Sequence, residues 1–129
     1  MGNRSSQVQG RQVRTEEMAS TIMQECIKNC MECFQTCTSL VQHCLGMGGE
    51  HAEPFHIGVL QACSYVCETS SKLMLINSEF HSDMCRICAD ICIACAVDCE
   101  KLGPNDPMMK HCAEVCRRCA ESCSKMAAH

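Results

Sequence analysis

The chain has 129 residues, which fits one domain with a modest core. Hydrophobic residues reach 47% only because 16 cysteines are counted among them, and aromatics are 3%, so without the thiols the core is thin. A net charge of −4 argues against nucleic acid as a partner, and no apolar run is long enough to span a membrane.

Residues 1–14 are polar and rich in Gln, Ser and Arg, and read as a flexible tail ahead of a domain covering 15–129. Thr15 and Glu17 suit the start of a long first helix. Its stripe runs Met23, Cys26, Cys30, Cys33, Cys37, Leu40, Cys44, and Gly46, Gly48 and Gly49 end it. Pro54 suits the first turn of a second helix, with the stripe His56, Leu60, Cys63, Cys67, Ser70, Met74 and an end near Asn77. Ser78 or Ser82 is placed to cap a third helix, which carries His81, Cys85, Cys88, Cys92, Cys95, Cys99 and Leu102. The segment "GPNDP" (103–107) breaks it. The fourth stripe is Met109, Cys112, Cys116, Cys119, Cys123, Met126.

Steps of three and four keep side chains on one face of a helix that turns once per ~3.6 residues. Cysteine therefore occupies the seam where a bundle ordinarily carries Leu and Ile. The fold class expected is all-α, an antiparallel up-down-up-down four-helix bundle with a cysteine-lined core. Apolar residues beside the stripes, such as Val66, Ile76, Ile87 and Val97, leave some exposed greasy surface and point to self-association.

Three roles for the thiols compete. One or two buried cysteines can simply pack, but Leu would fill four whole stripes better. A disulfide scaffold suits a short secreted chain this rich in cysteine. Such scaffolds are rich in loops, however, and the N-terminus "MGNRSSQVQGRQVRTEE" has no apolar signal region. The expected compartment is the cytoplasm, where thiols stay reduced.

Metal is the third role. Thiolates select Cu(I), zinc or iron–sulfur clusters. Structural zinc sites usually draw on Cys-x2-Cys loops, and ferredoxins on a loop motif absent here. The chain instead offers seven Cys-x3-Cys pairs within helices: 26/30, 33/37, 63/67, 88/92, 95/99, 112/116 and 119/123. Such residues have β-carbons ~5–6 Å apart, and side chains leaning together span one two-coordinate ion. Soft Cu(I) is content with two or three sulfurs. If each ion takes two thiolates and each thiolate bridges two ions, the 16 cysteines hold roughly 16 Cu(I). Zinc or iron–sulfur binding and thiol redox chemistry remain the alternatives. A redox enzyme wants one or two activated cysteines rather than stripes.

On these repeated Cys-x3-Cys pairs, over about residues 15–126, the chain resembles the bacterial copper storage proteins, a cysteine-rich four-helix-bundle family. The resemblance implies a core filled with Cu(I) thiolates, a homotetramer, and the cytosolic branch. A copper chaperone or efflux system would be its donor or acceptor. Helix two departs from the pattern with only Cys63 and Cys67.

In an up-down bundle, connections 1–2 and 3–4 share an end. That end gathers His43, Cys44, Met47, His51, His56, Met108, Met109 and His111, and it is the expected entry for copper. Met and His are weaker, more exchangeable Cu(I) ligands than thiolate. His111 is the leading non-cysteine ligand expected there, with His56 and Met109. The opposite end holds Met18, Met23, Met74, His81, Met84, Met126 and His129.

Overall fold

The computed structural model describes residues 2–128, with side chains from Glu16 to Ala128. The side chains of the polar segment 1–14, and all of His129, lie outside the described residues. Four helices follow one another: α1 (Gly2–Met47), α2 (Pro54–Leu75), α3 (His81–Leu102) and α4 (Pro107–Ala127), with a short 3-10 turn at Gly49–Ala52 between the first two. α1 starts well before the expected Thr15. Extending a nucleated helix is far cheaper than starting one, and Gln and Arg are good helix formers.

The helix ends follow local chemistry. Gly48 (φ 71) and Gly49 (φ 58) take left-handed backbone after α1, where a side chain would be strained. α2 closes with Asn77 at φ 52. The Asn77 N–H donates to the Met74 carbonyl (3.0 Å) and the Ser78 N–H to the Leu73 carbonyl (2.9 Å), which satisfies two orphan carbonyls. Phe80, not a serine, is the N-cap of α3; Ser78 Oγ instead accepts from the Phe80 N–H at 3.1 Å. α4 opens with Pro107 after Asp106, whose carboxylate accepts from the Met108 N–H at 2.9 Å.

The helices close a ring in which α1 packs on α2, α2 on α3, α3 on α4 and α4 on α1. The α3–α4 contact is the most extensive. Ala89 and Ala96 on one helix and Ala113 and Ala120 on the other, all buried, let the two backbones draw close. Every cysteine is fully buried, and Leu40, Leu60, Met74, Met109 and Met126 complete the core. Thiol therefore replaces aliphatic filling along the whole axis. Ile76, Ile87 and Val97 stay exposed, as their positions beside the stripes suggested. Among the described residues no helix is long and apolar enough to cross a membrane.

Candidate metal centre

All 16 cysteines point inward and all are free thiols. Their sulfurs form a nearly continuous column. At the end near the termini, Cys123 lies 3.7 Å from Cys26 and 3.5 Å from Cys30. Cys119 meets Cys30 at 3.7 Å and Cys67 at 3.8 Å. Cys67 touches both Cys88 and Cys92 at 3.6 Å, and Cys63 carries the column on to Cys92 (3.6 Å), Cys33 (3.8 Å) and Cys116 (4.0 Å). Cys37 then reaches Cys112 and Cys116, each at 3.8 Å. The two thiols of α2 thus bridge the halves of the column. Its low cysteine count does not open a gap.

Groups of four cysteines with their sulfurs within 4.8 Å of one another include these five: 30/88/119/123, 33/37/63/116, 33/63/67/92, 37/95/112/116 and 67/88/92/119. An ion with ~2.3 Å bonds to sulfur holds its ligands ~3.8 Å apart in a tetrahedron and ~4.0 Å apart in a trigonal plane. The sulfur–sulfur spacings fit such an ion with the helices left in place. A disulfide needs sulfurs ~2.05 Å apart, so pairwise oxidation would have to pull the column in on itself.

The column ends in a mixed set of ligands. Cys44 Sγ lies 3.3 Å from His56 Nε2 and 3.6 Å from Met109 Sδ, all three residues being buried. His56 Nδ1–H donates to Asp98 Oδ2 at 2.6 Å. That bond fixes the ring tautomer and leaves the Nε2 lone pair facing the thiol. Asp98 was not legible as a site residue. It stands one position before Cys99, off the stripe, and only the α2–α3 packing brings it to His56.

His111, the leading non-cysteine candidate, is a correction. It is exposed on the outer side of α4, in a cleft with Leu40, Pro107 and Met108. At ~100° per residue it stands ~200° round the helix from Met109 and ~100° from Cys112, so it cannot share their face. Met47 and Met108 of the same end are also exposed. His43 and His51 turn to Asp106 instead: each donates from Nε2 to Oδ2, at 2.7 and 3.1 Å. These contacts place connections 1–2 and 3–4 at one end, as up-down topology requires.

Burial disfavours the thiolate. It pushes the Cys44 thiol up to about 11, with the Asp106 charge adding to the effect. Deeper in, shared hydrogen bonds split the thiols. Cys33 and Cys88 are held below the ordinary thiol range, first by hydrogen bonds with Cys116 and Cys119 respectively. Cys67 and Cys116 are held far above it, first by hydrogen bonds with Cys119 and Cys112 respectively, and by burial as well. These protons stay on until a cation takes their place. At the end formed by connections 1–2 and 3–4 the sign reverses for Asp106, which hydrogen bonding to His43 holds down at about 2.

Comparison with known proteins agrees with this geometry. Residues 19–128 match the family model for Csp, copper storage protein. A solved structure of Nmul_A1745 from Nitrosospira multiformis is 43% identical, with a TM-score of 0.80 over 84% of this chain and 97% of its own. The Cu(I)-bound copper storage protein BsCsp3, from Bacillus subtilis, is 32% identical, with a TM-score of 0.76 over 82% and 98%. A cytosolic copper storage protein from Streptomyces lividans, solved during copper loading, is 25% identical, with a TM-score of 0.73 over 84% and 94%. With a helical ring, an inward thiol column and a family match across most of its length, the chain belongs to the copper storage protein family.

Proposed function

We propose that the chain stores and sequesters Cu(I) as polynuclear thiolate clusters along the bundle axis, with no catalytic step. The observation that carries this is shared membership. Cys33, Cys37, Cys63, Cys67, Cys88, Cys92, Cys116 and Cys119 each belong to two of the five sulfur groups. A thiolate shared between neighbouring sites bridges metal ions. Charge then favours a monovalent ion. One Cu(I) per thiolate leaves a dry core neutral, and the 16 cysteines balance roughly 16 Cu(I). A zinc held by four thiolates would leave two negative charges per site, and among the described residues no Lys or Arg is buried against the column to offset them.

Copper enters, on this reading, past Cys44, His56 and Met109. The imidazole and thioether hold the ion weakly enough to pass it on to thiolates below. The chain works in the cytoplasm, a reading supported by its likeness to the cytosolic copper storage protein of Streptomyces lividans. The storing domain is 15–129, assembled as a homotetramer through its exposed apolar faces. A copper chaperone or efflux system exchanges the metal. X-ray absorption of the copper-loaded protein tests the clusters. All-sulfur coordination for most ions with a short copper–copper scattering path is expected. Isolated copper ions without that path would contradict bridging.

A further inference from the structure

Above the thiol column, three side chains from three segments meet at one point. His43 comes from the last turns of α1, His51 from the 3-10 turn, and Asp106 from the N-cap of α4. Both ring nitrogens are Nε2 atoms, and both converge on one oxygen, Oδ2, at 2.7 and 3.1 Å. The other carboxylate oxygen is occupied by the Met108 N–H, which fixes the orientation of the group. Gly48 and Gly49, both at positive φ, fold the connection back so that His51 reaches the carboxylate. The side chains are 22%, 18% and 13% exposed, and they border an open cleft of about 430 Å³ with Met47, Leu102 and Pro104. They are therefore within reach of a solvated ion.

We propose that His43, His51 and Asp106 form a second metal site, separate from the thiols and selective for a borderline divalent cation of the zinc or copper(II) type. Two imidazoles and a carboxylate are a ligand set for such ions, and soft Cu(I) prefers the sulfurs below. Bonds of ~2.1 Å put ligand atoms ~3.0 Å apart at right angles and ~3.4 Å apart in a tetrahedron, so the hydrogen-bonded set, at 2.7 and 3.1 Å, opens by less than ~1 Å to take an ion. The three ligands lie to one side, and the cleft leaves the remaining positions to water. Binding needs each ring to carry its proton on Nδ1 instead of Nε2, so neutral imidazoles take the ion without net proton loss. The ion would tie the end of α1, the connection and the start of α4 together, next to Cys44. A hydrogen-bonded helix cap would be complete with one histidine; the second makes the set a chelate.

Equilibrium dialysis against zinc tests the site, using the Cu(I)-loaded protein so that thiols are already taken. About one zinc per chain is expected to be retained. His51→Ala should weaken it at least ~10-fold while copper content and helicity stay as they were. Asp106→Asn, which still caps α4, should weaken it too. Should copper loading itself fail, the metal-free proteins are compared in the same way, and wild type should still exceed His51→Ala by about one zinc. Equal zinc in both proteins, or none in the wild type, would overturn the proposal.

Discussion

Replacing both thiols of α2, Cys63→Ser with Cys67→Ser, separates the two metal readings by amount rather than by kind. Serine keeps the volume but offers a hard oxygen that neither ionises nor binds Cu(I). Of the five sulfur groups, three share no cysteine: 30/88/119/123, 33/63/67/92 and 37/95/112/116. A chain holding one closed four-thiolate site of the zinc kind in each of those three groups would lose the middle one in the double variant, a fall of one third. Bridged Cu(I) clusters lose metal in proportion to thiolate, two of 16, so roughly 14 ions remain of roughly 16. Each buried hydroxyl left with poor partners costs ~1–3 kcal/mol, so the metal-free variant should melt lower yet remain helical by circular dichroism. Native mass spectrometry after anaerobic loading counts the ions. No loss at all would mean the α2 thiols are not ligands. A one-third fall, or collapse of loading altogether, would refute bridging along the axis.

Three further outcomes follow from the mouth. Asp98→Ala frees the His56 tautomer, and should weaken the mouth ion ~10–100-fold in chelator competition while total capacity falls by no more than about one ion. Gly103→Ala would set a Cβ 2.6 Å from both Cβ and Cγ of Met109. Met109 must then shift from Cys44, so the variant should lose about 1–3 kcal/mol in denaturant unfolding and show the same mouth defect. Asp106, held down at about 2, contributes stability that is fully present above its ordinary value near 3.8 and is lost as pH falls through 2. Asp106→Ala should therefore unfold ~1–2 kcal/mol more easily at neutral pH, and match the wild type below pH ~2.

How much could be read from the sequence depended on whether one helix sufficed. Each stripe did: the 3–4 spacing fixed which thiols face inward, and all of them are buried. Cys44, His56 and Met109 also lie on their stripes, and they meet at the mouth. His111 was misplaced because it adjoins Cys112 in sequence, whereas adjacency along a helix means ~100° of rotation. Asp98 was invisible because its partner His56 is on another helix. Asp106 did carry a signal, an acidic residue just before a proline at a helix start. His43 and His51 were legible as residues of that end, but their convergence on Asp106 was not, since His51 sits in a glycine-rich connection whose path only the positive-φ residues reveal. The outward start of α1 was missed because propensity marks where a helix nucleates better than how far it extends.

The most direct measurement is an anaerobic titration of the reduced protein with Cu(I) against a chromophoric chelator. If copper fills the column, the chelator stays uncoloured until the mid-teens of ions per chain, roughly one per thiol, with about one proton released for each ion bound. A break at about one to four ions per chain would instead mean a few discrete sites within an otherwise ordinary core, and copper storage would not be what these thiols do.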